Sequence, residues 1–237
     1  MKQNKRAWAA LLLLVMSIGT MNAQFSSDPP TGPRLSYKRI YILDAGIGIG
    51  CPGLVGSGSS SWDVGHNRRN IVPIATLQLM TYSSRSPIGY GLFYYGYTSR
   101  TKHYATDTSS AVSEKISMHY FAPQVSYMKR EAGFQDGIFF VNAGVGYAKY
   151  ESKGSMLEKD HYKTARSAVA CNVSLAYEYV FDSQLGVRMT ANCLYSRIKG
   201  LHGDKAGYPA ELNMQPNESA HLIVPSLEVG LSYYFQR

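Results

Sequence analysis

The sequence predicts an all-β protein, an eight-stranded antiparallel up-and-down transmembrane β-barrel preceded by a signal peptide. Three observations predict it. The closing stretch Leu222–Phe235 places Ile223, Pro225, Leu227, Val229, Leu231, Tyr233 and Phe235 on one strand face, and Ser226, Glu228, Gly230 and Ser232 on the other. An apolar face ending in aromatics, opposite a small and polar face, suits a strand with lipid outside and a lumen inside. The N-terminus has a positive region (Lys2, Lys5, Arg6), an apolar run from Ala7 to Ile18, and Met21-Asn22-Ala23 before Gln24. That is the pattern of a cleaved secretory signal, too short to cross a bilayer as a helix. Finally, no later run approaches twenty apolar residues, so insertion would have to be by strands.

The expected organisation is residues 1–23 as signal peptide, 24–36 as a periplasmic N-terminal segment, and 37–235 as the transmembrane β-barrel domain. Removing residues 1–23 leaves 214 of 237 residues, with 21 basic against 16 acidic side chains, a net charge of +5. Such a surplus favours anionic head groups or acidic glycans. Scattered cations on an exported chain argue against nucleic acid. The 19 tyrosines and 22 glycines, with 17% charged residues, suit a β-rich chain with interfacial rings.

In order, strands are expected near 37–50, 70–82, 87–101, 116–130, 137–151, 165–180, 184–199 and 219–235. Each is long enough to cross a bilayer when tilted, and no helical stripe is sustained. Tight turns at Ser83–Ser86, Glu131–Asp136 and Phe181–Gln184 alternate with expected long loops at Cys51–Arg69, Lys102–Lys115, Ser152–Thr164 and Gly200–Glu218. Short turns on one side and long loops on the other put both termini in the periplasm.

Alternation assigns the faces. Val169, Cys171, Val173, Leu175, Tyr177 and Tyr179 point outward in the sixth strand, opposite Ala170, Asn172, Ser174, Ala176 and Glu178. In the fifth, Phe139, Val141, Ala143, Val145 and Tyr147 oppose Asn142, Gly144, Gly146 and Ala148. In the seventh, Val187, Met189, Ala191, Cys193 and Tyr195 oppose Arg188, Thr190, Asn192 and Ser196. The third strand, Ile88–Arg100, is aromatic on both faces and its register is open. Aromatics gather at two heights, expected as interfacial belts: Tyr37, Tyr41, Tyr82, Tyr90, Tyr127, Tyr179, Tyr233 and Phe235 near the turns, and Tyr97, Tyr120, Phe121, Tyr147, Tyr150 and Tyr195 near the loops.

The signal ending in Ala-Gln, Gly-Val-Gly-Tyr-Ala at 144–148 and the closing Gly-Leu-Ser-Tyr-Tyr-Phe resemble the small outer-membrane β-barrel proteins of Bacteroidota-type bacteria. These are often described as outer membrane protein beta-barrel domain or porin-family proteins. The resemblance covers the mature chain and rests on pattern. It departs at the end, where Gln236 and Arg237 follow the terminal aromatic. It implies a Gram-negative outer-membrane location, outer-membrane lipid and lipopolysaccharide as surroundings, assembly by the barrel-assembly machinery, and a monomer.

Candidate chemistry is sparse. Glu178, Arg188, Glu228, Asp44 and Gln78 are expected to fill a lumen only just wide enough for side chains, as a structural plug rather than an ion path. Ser117 with His119, and Ser219 with His221, share strand faces near the loop end, with Glu114 and Glu218 nearby, so a lipid-A-modifying enzyme is an alternative. A serine hydrolase would need nucleophile, base and acid in contact. Cys51, Cys171 and Cys193 are an odd count, with Cys171 and Cys193 opposed or diagonal across adjacent strands. Gly53–Trp62 and the 200–218 loop, with His202 and Tyr208, are candidate contact surfaces. No catalytic, cofactor-binding or metal residues are assigned and no cofactor is expected. The expected function is therefore non-enzymatic: envelope structure, adhesion or ligand contact through loops, without an open pore. A second alternative is a soluble, exported, lipocalin-like barrel, which would need the aliphatic face turned inward.

Overall fold

A computed structural model describes residues 39–56, 71–83, 86–104, 111–130, 137–156, 160–181, 184–199 and 219–236. The expected signal peptide, the 24–36 segment, Tyr37, residues 57–69 of the expected Cys51–Arg69 loop, the expected turn at Glu131–Asp136 and the 200–218 loop lie outside the described residues. The strands are β1 (Arg39–Gly50), β2 (Gly53–Gly56), β3 (Val72–Ser83), β4 (Ile88–Tyr104), β5 (Ala111–Arg130), β6 (Gly137–Met156), β7 (Asp160–Val180), β8 (Leu185–Lys199) and β9 (Ser219–Gln236).

Apart from β2, each strand pairs antiparallel with the next, and β1 pairs with β9 to close the wall. β2 is a continuation of β1 on the same partner. Gly50 faces Ser226 and Gly53 faces Ile223, so the register does not slip across Cys51-Pro52. Pro52 has no amide hydrogen to give the ladder, which accounts for the break. Pro123 coincides with a similar gap in β5–β6, between the pairs Phe121–Tyr147 and Gln124–Gly144. The wall is therefore eight strands round.

The pairing fixes the shape. Stepping from partner to partner runs Ile40, Tyr82, Gly89, Ser126, Asn142, Ser174, Asn192, Ser226 and back to β1 at Gly50, ten residues beyond the start. With a rise of about 3.3 Å per residue and about 4.8 Å between strands, this stagger tilts the strands by about 40°. That tilt lies in the range of closed barrels, and eight strands so arranged leave an interior filled by side chains.

The face assignments hold. Asn142, Asn172, Ser174, Glu178, Arg188, Asn192, Ser226, Glu228 and Ser232 are buried, while Ile47 (75%), Val169 (72%), Met189 (63%) and Leu231 (65%) are exposed. Polar groups inside and aliphatic groups outside are the reverse of a soluble ligand-holding barrel, so the lipocalin-like alternative is set aside. The open register of the third strand resolves with Phe93, Tyr95 and Tyr97 buried in the lumen and Ile88, Tyr90 and Leu92 exposed.

Two expectations need correction. Tyr82, Tyr97, Tyr120 and Tyr150, counted in the aromatic belts, are buried inside the barrel. Each falls on the lumen parity of its own strand, and rings are bulky enough to fill an interior of this width. The second concerns the loops. The sequence reads Lys102–Lys115 and Ser152–Thr164 as long loops, but β4–β5 pairing continues to Tyr104 opposite Ala111, and β6–β7 pairing to Met156 opposite Asp160. β4 to β7 thus extend as one sheet beyond β3–β4 pairing, which ends at Ile74–Tyr97, and beyond β7–β8 pairing, which ends at Ala170–Ser196. The expected loop Cys51–Arg69 likewise begins as the short strand β2.

Two of the short connections carry backbone hydrogen bonds at their described ends. Ser83 C=O accepts from Ser86 N at 3.2 Å, and Gln184, at φ 71°, accepts from Tyr234 N at 2.9 Å. Phe181 N donates to Leu185 O at 2.7 Å across the same turn.

Candidate functional site: the filled lumen and the tyrosine–histidine rim

The interior has three layers. An apolar layer at the turn end joins Ile40, Ile42, Met80, Tyr82, Phe140 and Tyr234. A larger one at the loop end includes Phe93, Tyr95, Tyr97, Met118, Tyr120, Tyr150, Leu194, Leu222 and Val224. Phe93 and Tyr120 meet there edge to face, with centroids 6.2 Å apart, a geometry that favours ring pairs beyond burial alone.

Between these layers lies a polar belt centred on Arg188. The turn at 181–184 sets Arg188 directly opposite Glu178. Its Nε donates to Glu178 Oε2 at 2.6 Å, and Nη2 lies 2.6 Å from the same oxygen. Nη1 donates to Gln78 Oε1 at 2.9 Å, and Nε lies 3.5 Å from Asp44 Oδ2. The guanidinium carbon sits 4.2 Å from the centroid of the Phe140 ring, a cation–π placement. Four wall strands besides β8 thus converge on one buried cation. Gly186 leaves room beside it, since a Cβ there would crowd the Glu178 carboxylate.

Hydrogen bonds spread from this centre. Gln78 Nε2 donates to Gln124 Oε1 at 2.7 Å, Ser232 Oγ to Asp44 Oδ2 at 3.0 Å, and Tyr82 Oη to Ser126 Oγ at 2.6 Å. Asn142 donates to Ser174 at 3.0 Å, and Tyr120 Oη donates to Asn172 Oδ1 at 3.0 Å. Each of these bonds offsets part of the desolvation cost of the polar groups it joins.

The sequence places Asp44, Glu178, Arg188 and Gln78 together, and the structure assembles them. Glu228 stands apart. Arg188 faces Gly230, so Glu228 lies two residues nearer the loops, where it accepts from Ser226 Oγ at 2.8 Å. Equal distance from a turn is not equal height when strands are staggered. Phe140 beneath the guanidinium escaped sequence reasoning, although its parity with Asn142 and Gly144 marks it as inward.

The serine–histidine pairs are arranged differently from a catalytic set. His119 Nδ1 lies 2.8 Å from Tyr94 Oη, and the rings stack at 6.2 Å. His221 Nδ1 lies 2.7 Å from Tyr195 Oη, stacked at 5.9 Å. Each tyrosine reaches diagonally to the histidine of the next strand, and Tyr94 does so by lying over Gly96, where a Cβ would come within 2.6 Å of its hydroxyl. Tyr147 makes the same diagonal reach to Ser167. The histidine Nδ1 atoms therefore face tyrosine rather than Ser117 or Ser219, and Ser219 Oγ accepts from Arg197 Nε at 3.2 Å. Glu114 and Glu218 are not among the residues whose side chains are described.

All three cysteines are free thiols. Cys171 faces Tyr195 and Cys193 faces Val173, so the two are diagonal rather than opposed. Diagonal neighbours stand about 7–8 Å apart, outside the range a disulfide spans.

No protein-family model matches the chain, and no curated protein matches its sequence. Solved structures with similar folds include Neisserial surface protein A, at 11% identity and a TM-score of 0.44, covering 83% of this chain and 97% of that one. Ail of Yersinia pestis, solved with the heparin analogue sucrose octasulfate, has 8% identity and a TM-score of 0.44, over 82% and 99% of the two chains. A major outer membrane protein of Thermus thermophilus has 12% identity and a TM-score of 0.49, over 83% and 99%. With these TM-scores below 0.5, the fold assignment rests on the strand pairing above. The chain forms a closed eight-stranded antiparallel barrel with an aliphatic exterior and a filled, polar-centred lumen.

Proposed function

We propose that this is an outer-membrane β-barrel of non-enzymatic role, contributing to the envelope through its wall and its loop-side surface without forming an open pore. The observation that carries this reading is the inversion of the barrel: ion pairs and amides inside, aliphatic side chains outside. Water cannot stabilise that exterior, whereas a bilayer can. Outward Tyr90, Phe139, Tyr179, Tyr233 and Phe235 near the turns and Tyr94, Phe121, Tyr147 and Tyr195 near the loops would serve as the two interfacial girdles. Export by a cleaved signal peptide, kinship with Bacteroidota-type barrels, folding by the barrel-assembly machinery and a monomeric state are parts of the same proposal.

The lumen layers support the absence of a pore. Phe93, Tyr95, Tyr97, Tyr120 and Tyr150 fill the loop end, and the Arg188 cluster fills the middle. In planar bilayers at neutral pH the purified protein is expected to show no steady large conductance. A stable open level would overturn this part of the reading.

The cysteines report the depth of insertion. Cys171 and Cys193 lie among outward aliphatics, whereas Cys51 lies at the loop-side end of β1. In intact outer-membrane vesicles, a charged, membrane-impermeant maleimide is expected to label Cys51 and to spare Cys171 and Cys193 until the protein is unfolded. Equal labelling of all three in the folded protein would contradict the proposed membrane boundary.

A further inference from the structure

Beyond the outward aromatics, the register lines up cations. Arg100 on β4 is directly opposite Lys115 on β5, which is directly opposite Lys153 on β6. The row continues in register to position 163 on β7, another lysine. Four residues nearer the girdle along β5 and β6, His119 is opposite Lys149. These positions share the outward parity of Tyr94, Phe121 and Tyr147, and Arg100, Lys115, Lys149 and Lys153 are exposed. One acid lies between the rows: Glu151 is 2.8 Å from Lys149 and 3.6 Å from Lys153. Among the described side chains, four cations against one carboxylate leave a surplus of three positive charges on this face.

Like charges directly opposed across a sheet repel. A row of them along an extended sheet is accommodated best when anions lie over it. Its position narrows the choice of anion. Lys149 is two residues beyond Tyr147 and Lys115 six beyond Phe121, which is about 5 and 15 Å further along the barrel axis at the strand tilt. That span begins where an interfacial girdle ends. On the β1–β3 wall, Cys51 and Ile71 occupy the loop-side rim as exposed, uncharged residues, and on β8 the exposed Arg197 faces His221, so among the described side chains the cations are concentrated on β4–β6.

We propose that the outward β4–β6 face binds the phosphorylated head group of an outer-leaflet glycolipid, with Arg100, Lys115, Lys149 and Lys153 holding its phosphates. The lipid's acyl chains then lie on the aliphatic wall below, against Phe121 and Val145. This rests on the outer-membrane reading above. A soluble acidic glycan would gain nothing from cations set against the girdle, whereas a membrane-anchored phosphate is held at that height.

The test uses the full chain in phosphatidylcholine nanodiscs doped with bisphosphorylated lipid A or its dephosphorylated form, with retained lipid counted by native mass spectrometry. The wild type is expected to retain the phosphorylated form selectively. The combined Arg100→Gln, Lys115→Gln, Lys149→Gln and Lys153→Gln variant should lose on the order of several hundredfold in that affinity, since each surface cation contributes roughly fivefold. Glu151→Gln should strengthen binding several-fold. Heat-dependent gel migration of both variants shows that the barrel is intact. Equal retention of both lipids, or undiminished retention by an intact quadruple variant, would overturn the proposal. Tighter, cation-dependent capture of a heparin oligosaccharide would also overturn it, in favour of an acidic glycan. Failure of the wild type to enter nanodiscs at all would instead defeat the membrane reading, and this inference with it.

Discussion

Arg188→Leu is expected to lower the stability of the folded barrel by about 3 kcal/mol or more, the cost of removing one partner from a buried ionic cluster. Leucine approximates the stem but supplies no charge to Glu178 and Asp44, and no donor to Gln78. Both carboxylates sit in a lumen closed by apolar layers on either side. Their environment supplies no other described cation within ion-pair distance. Urea titration of the refolded protein in detergent, followed by gel shift, measures the change. A companion variant that also carries Asp44→Asn and Glu178→Gln should recover part of the loss, because the stranded charges are gone. An Arg188→Leu midpoint equal to the wild type would show that the cluster is not energetically coupled.

The second large effect belongs to the outer wall. Val229 lies outward near the middle of β9, opposite Met189 and Ile47, and is 52% exposed. Val229→Arg should cost about 2–4 kcal/mol for folding into lipid vesicles, the cost of an arginine near the bilayer midplane. Ser83→Arg, at the turn-side rim, should cost about 1 kcal/mol or less by the same depth dependence. A soluble barrel would show no such contrast, since an exterior arginine in water is near neutral. Equal stabilities for the two variants in lipid would place Val229 outside the membrane.

Much of this architecture is legible in the sequence, for a physical reason. An aliphatic exterior around a polar-centred lumen demands apolar residues at every second position, so the period of two is strict along the middle of the wall. Leu222–Phe235 shows it most cleanly. The turn at 181–184 is short enough to set Glu178 against Arg188, so a buried ion pair could be read from spacing alone. That same register decides between the two placements open to Cys171 and Cys193, but only once the turn geometry is known.

Other features are hidden because the constraint that reveals them is missing. Toward the loop end the apolar alternation fades, and Lys102–Tyr104 and Ser113–Glu114 are mostly polar. Their sequence reads as loop, while pairing with neighbours keeps them in the sheet. The inward placement of Tyr82, Tyr97, Tyr120 and Tyr150 is hidden for a different reason. A tyrosine suits both a bilayer interface and a narrow lumen, so composition by height cannot separate the two faces. Parity within each strand does. The Tyr94–His119 and Tyr195–His221 pairs depend on diagonal reach across strands, which spacing along one strand does not disclose.

A polar-centred interior and an aliphatic exterior suit this barrel to lipid rather than water. The most direct test expresses the full chain in a Gram-negative host, separates soluble periplasm from outer membrane, and runs the outer-membrane fraction on a denaturing gel with and without boiling. Recovery in the outer membrane, with an unboiled band that migrates differently from the boiled one, is the expected result. Recovery in the soluble periplasm with heat-independent migration would contradict it.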